Sequence, residues 1–173
     1  CAISRLKAKG EYVPDLVVAG GFSLEDHMYK AIALGAPFVK AVGMARGPIA
    51  AAMVGKTIGR MLHDENLSGP VEKYGKTLEE IFVVSPELKS KYGSQFSRIP
   101  TSAIGLYSYV QRLSQGLRQF MCGNRKFALE YIEREDLVSL TKLAAEVSNI
   151  PYVMDLDKEE VDSILGAPAL SYR

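Results

Sequence analysis

The chain has 173 residues, enough for one domain with a real core or for a small domain with an appendage. Apolar residues make up 47% and charged residues 24%, and the formal charge of +1 lacks the basic excess that marks nucleic-acid binders. Cys1 and Cys122 cannot build a disulfide framework or a CxxC pair, which predicts a reduced, cytoplasmic protein.

The first residue is Cys1 rather than a methionine, which suggests a piece cut from something longer. "DLVVAG" follows Pro14 and runs into Gly20-Gly21, the pattern of a short buried strand. Ser23 offers an N-cap, with Asp26 three residues on completing a capping box. The helix so opened puts Leu24, Met28, Ala31, Ile32 and Leu34 on its buried side, and Gly35 ends it. "FVKAVG" is a second strand, and Gly47-Pro48 opens a second helix, with Pro48 suited to a first turn. Strand, helix, strand, helix at this spacing is a βαβα unit with a parallel pair of strands. Two parallel strands need both faces covered, so another segment or another chain is expected to complete the sheet.

From about residue 67 the pattern changes. "NLSGPVEKYG" reads as loop, followed by short helical signals in "TLEEIF" and "SPELKSKYG". A long helix is predicted from Thr101 to Gly123-Asn124, with Leu106, Val110, Leu113, Leu117, Phe120 and Met121 on one face. Further helices are predicted in "REDLVSLTKLAAEV" and in "DKEEVDSILG", the latter ended by Gly166. The longest apolar stretch, "GPIAAAMVGKTIGRML", is broken by Lys56 and Arg60 and is no membrane span.

In parallel β/α folds, ligands sit where strands lead into helices, and both strands here end on glycine. Gly20, Gly21 and Gly43 let backbone amides approach a ligand, the helix start near Gly47 favours an anion, and Arg46 adds a forked donor. The set describes a phosphate site, although each glycine taken singly is equally at home in a tight turn. Neither G-x-G-x-x-G nor the P-loop consensus is present; "MVGKT" mimics the P-loop ending inside a predicted helix.

"VVAGG…KAIALGAPFVKAVGMAR" resembles the last two β/α units of FMN-dependent TIM (β/α)8 barrels. "GLRQFMCGNRKFALEYIEREDLVSLTKLAAEVSNIPYVMD" narrows the resemblance to the FMN-binding synthase domain of the glutamate synthase family. The resemblance implies an α/β fold: residues 1–66 as the phosphate-binding end of the barrel, residues 1–10 within them ending its sixth helix, and residues 67–173 as a mainly helical region packed on it. It implies FMN as cofactor, with phosphate contacts at Gly20, Gly21, Gly43, Met44, Ala45 and Arg46. Two departures stand out. The family's arginine after the glycine pair is here Ser23, and its cysteine triplet is missing, so this chain is expected to build no iron–sulfur cluster.

No catalytic residue is nominated. His27 and His63 suit surface or capping roles, and no metal set surrounds them. Glu133, Glu135 and Asp136 read as an acidic helix start, and Arg118, Arg125 and Lys126 as a dipole complement to the long helix. Tyr107 and Tyr109 fit either core or interface. The expected function is part of a glutamate synthase-like oxidoreductase that turns 2-oxoglutarate into glutamate, this piece being inactive alone. Its partners would be the remaining barrel strands and a small-molecule substrate, with no nucleic acid or membrane, and a homo-oligomer left open. The alternatives are another FMN- or phosphate-binding barrel oxidoreductase and a non-enzymatic helical assembly module. An isolated piece would expose much apolar surface and associate or lose stability.

Overall fold

A computed structural model describes residues 2–166, so Cys1 and the last seven residues lie outside the description. After helix α1 (Ala2–Ala8) come strand β1 (Leu16–Ala19), helix α2 (Glu25–Gly35), strand β2 (Val39–Gly43) and helix α3 (Arg46–His63). Three short helices follow, α4 (Gly69–Glu72), α5 (Leu78–Ile81) and α6 (Ser85–Tyr92), then a 3-10 turn over 93–98 and the long helix α7 (Thr101–Gly123). Helices α8 (Lys142–Ser148) and α9 (Lys158–Leu165) complete the described chain. Among the described residues no helix is long and apolar enough to cross a membrane.

The strands pair in parallel, Leu16 beside Val39 and Ala19 beside Gly43, with an irregularity between Leu16 and Val17. Among the described residues no further strand joins the sheet. No strand residue is buried, and Val17 is 66% exposed. Two hydrophobic clusters hold the structure instead. One joins Ile58 of α3 to Phe82, Leu88, Phe96 and Ile104; the other joins Tyr29 and Ala33 of α2 to Ile132. Helix α7 runs through both, packing along α3 and against α2.

This architecture corrects the expected fold class. The described residues are 62% helical with two short parallel strands, a small helical protein rather than the last two units of a TIM barrel. The order of strands and helices in 14–63 is as read, but that local grammar is common to every parallel β/α unit. Fold class depends on where apolar surface is buried, and here it is buried between helices.

Five local readings are also corrected. Helix α2 begins one residue later than a Ser23 cap requires, with Leu24 at the N-cap position and no capping side chain. Its buried face carries Tyr29 and Ala33, while Leu24 and Leu34 are exposed. On α7 the inward face is Ile104, Gly105, Leu113 and Gly116, and Val110 is half exposed. Glycines carry no hydropathy signal, so the periodic apolar stripe falls to one side of the true contact. Residues 134–141 are not helical throughout: a 3-10 turn (Arg134–Asp136) comes first, and α8 starts only after Thr141, whose hydroxyl accepts from the Ala144 amide at 3.1 Å. Finally, the loop from 67 contains the one-turn helix α4.

Glu133 and Asp136 do mark a helix start, but that of the short 3-10 turn Arg134–Asp136, with Glu133 as its N-cap residue and Asp136 completing a capping box with it. They face Lys126 at 3.3 and 3.5 Å, and Lys126 answers them rather than the dipole of α7. Desolvation lowers the Lys126 ammonium, but its bonds to Glu133 and Asp136 outweigh that and hold it above its usual range.

Candidate functional site

The two strand ends and the helices that follow them enclose an open cavity of about 680 Å³. Gly20, Gly21, Gly43, Met44, Ala45 and Arg46 all line it, with Phe22, Ser23 and Gly47 between them. Parallel pairing in register is what brings these two segments together, since Ala19 and Gly43 are partners at the last rung of the ladder.

Two kinds of constraint act on these glycines, backbone conformation and close contact. Gly20 and Gly21 have φ of +124° and +71°, a pair of angles that side chains with a Cβ rarely adopt. Space is not the constraint at these two positions, for a Cβ on either would have no neighbour within 4 Å. At Gly43 the constraint is contact, because a Cβ would stand 3.1 Å from that of Ala19. At Gly47 a Cβ would run into the Tyr109 hydroxyl, with Cζ behind it at 3.2 Å.

The walls of the cavity are rich in unengaged donors. Among the described residues the amides of Gly21, Phe22, Met44 and Ala45 and the hydroxyl of Ser23 make no hydrogen bond. Helix α3 starts here without a capping side chain, its first internal bond running from the Ile49 amide to the Ala45 carbonyl at 3.1 Å. The amides of Arg46 and Gly47 thus form its open first turn, while Pro48 has no N–H to satisfy. Arg46 is exposed and, among the described residues, makes no ion pair. No carboxylate among the described residues lines the cavity. Backbone donors, a helix N-terminus and one guanidinium around an acid-free hollow suit an anion.

A phosphate group fits this donor set: glycines leave room above the backbone, and nothing described already occupies the donors. Ser23 stands where the resemblance implies an arginine, so Arg46 is the guanidinium at the cavity. Beside it, a second and largely apolar hollow of about 590 Å³ shares Gly20, Gly21 and Phe22 and extends along Leu16, Val18, Ala31 and Leu34.

Sequence reading missed what ties the loop down. The Tyr109 hydroxyl, on α7, donates to the Ser23 carbonyl at 2.7 Å across 86 positions of sequence. Burial pushes the Tyr109 phenol above its usual 10, Arg112 opposing and Glu25 adding to the shift, so it is a protonated donor at neutral pH. Tyr109 fits either core or interface by sequence, because nothing local links it to Ser23. His27 lies 3.9 Å from Asp26, whose carboxylate is engaged by Lys30 at 2.8 Å. Cys122 is exposed, and no three His, Cys, Asp or Glu groups among the described residues converge on a metal position. "MVGKT" lies inside α3, where Gly55 is buried and the Thr57 hydroxyl donates to the Met53 carbonyl at 3.0 Å.

No protein-family model, curated protein or solved structure matches this chain.

Proposed function

We propose that the chain holds the phosphate of FMN in a flavin-dependent oxidoreductase of the glutamate synthase kind. The observation that carries the reading is the common cavity of Gly20, Gly21, Gly43, Met44, Ala45 and Arg46, walled by amides and one arginine that have no partner among the described residues. In this reading the amides of Gly21, Phe22, Met44 and Ala45 and the first turn of α3 take the phosphate oxygens, and Arg46 neutralises their charge. The chain's part is to bind and orient, by fixing the phosphate end of the cofactor. Bound FMN supplies hydride transfer, and the activity proposed for the whole protein is reductive amination of 2-oxoglutarate to glutamate. The groups that face the flavin ring and the 2-oxoacid belong, on this reading, to another segment or chain.

Titration of the chain with FMN, riboflavin and inorganic phosphate tests the reading. FMN binding at least tenfold tighter than riboflavin, with phosphate competing, supports it. Equal affinity for FMN and riboflavin overturns the phosphate role. No binding of any of the three leaves a helical assembly module, a reading that draws only on the helical content.

A further inference from the structure

We infer that Tyr109 is the positioning residue that holds the two walls of the cradle together, an inference that rests on the phosphate reading above. Its hydroxyl meets both walls at once. It donates to the Ser23 carbonyl, which closes the loop begun at Gly20, and it lies over Gly47, the second residue of α3. No alanine at 47 fits beneath that hydroxyl without displacing it.

Helix α7 packs closely on α3, with the backbones of Gly55 and Gly105 against each other, so Tyr109 reaches the cradle from a tightly packed helix pair. The loop 20–23 has no other anchor of this kind: among the described residues its amides at 21 and 22 are unbonded, and two of its residues have positive φ. A loop with free amides binds an anion well only if those amides are already oriented, because otherwise ordering them opposes binding. A phenol donating to the loop from the helical half supplies that order. A tyrosine serving only as packing would leave phosphate recognition indifferent to its hydroxyl.

The test uses the full chain, with FMN and riboflavin titrated by flavin fluorescence and with thermal unfolding measured alongside. Tyr109→Phe keeps the ring and removes the hydroxyl. Its FMN affinity falls about five- to tenfold, as for one neutral hydrogen bond, while riboflavin affinity is unchanged. Gly47→Ala weakens FMN in the same selective way, and combining it with Tyr109→Phe weakens FMN no further than Tyr109→Phe alone, because both changes remove the same bond. If the wild type shows no preference for FMN over riboflavin, the phosphate reading and this inference fall together. If the wild type shows that preference and Tyr109→Phe retains it in full, the inference alone is overturned. Should Tyr109→Phe fail to fold, Gly47→Ala decides: undiminished phosphate preference in that variant overturns the inference.

Discussion

Gly55 and Gly105 face each other where α3 crosses α7, so closely that a Cβ on Gly55 would lie 3.0 Å from the Cα of Gly105. The converse contact, from Gly105 to the Cα of Gly55, is 2.9 Å. Nearer still stand the Thr101 and Ala51 carbonyl oxygens, at 2.6 and 2.8 Å from the respective Cβ positions. Alanine is a better helix former than glycine by about 1 kcal/mol. Here that gain is outweighed, because the obstructing atoms are backbone on both sides and must separate the helices to give way. Gly105→Ala therefore destabilises the protein by a net 1–3 kcal/mol or so, measured by urea unfolding. An increase in stability would show that the helices are not in contact at this level.

Arg46 is the charged side chain at the cavity, and it is exposed without a competing ion pair among the described residues. Replacing it with alanine removes a charge-assisted bond worth about 1.5–3 kcal/mol. FMN affinity falls by about ten- to a hundredfold on that basis, and riboflavin affinity stays as it was. Thermal stability does not change, since the guanidinium holds nothing else. Raising the salt concentration narrows the difference between variant and wild type.

Helix α5 is a single turn that depends on its cap. Thr77 Oγ1 accepts from the Glu80 amide at 3.3 Å, and Glu80 Oε2 accepts from the amides of Lys76 and Thr77 at 2.7 and 3.0 Å. Thr77→Ala costs about 1 kcal/mol, read from a denaturation midpoint. The backbone bond from Lys76, followed by the bonds from Thr77, holds the Glu80 carboxyl below its usual 4.5. A depressed folded-state value means the stabilisation is fully present above 4.5 and lost as pH falls through the lower folded value. Glu80→Gln flattens that part of the acid unfolding curve: the variant is less stable than wild type at neutral pH and converges with it once pH has fallen below the folded value. An unchanged acid limb would remove Glu80 from the account.

Tyr29 is 3% exposed, and its hydroxyl accepts from the Asn124 side-chain amide at 2.6 Å. Asn124 follows the last turn of α7, so this bond ties that end to the middle of α2. Removing it with Asn124→Ala leaves the buried phenol without its donor and costs about 1 kcal/mol. Differential scanning calorimetry reads the loss as a lower Tm, and Tyr29→Phe combined with it adds little further. Full additivity of the two changes would show that they are not coupled.

Local chemistry was legible in the chain. Pro14 and the Gly20-Gly21 pair bracket β1, Gly35 ends α2, Pro48 sits in the first turn of α3, and Gly123-Asn124 closes α7, because each signal acts within a few residues of itself. The residues around the cavity were legible for the same reason, as two glycine-ended strands that a parallel pairing sets side by side. What the tertiary structure alone decided is which surfaces meet. The burial of Ile104 beside Gly105, the unburied sheet, the pairing of Lys126 with Glu133 and Asp136, and the reach of Tyr109 to Ser23 all join segments distant in sequence or turn a helix face by a fraction of a turn. Hydropathy is blind to glycine and to a hydroxyl's partner, so neither the close helix crossing nor the anchored loop leaves a local trace. The barrel expectation failed at that step, where long-range burial between helices, and not the order of strands and helices, set the fold.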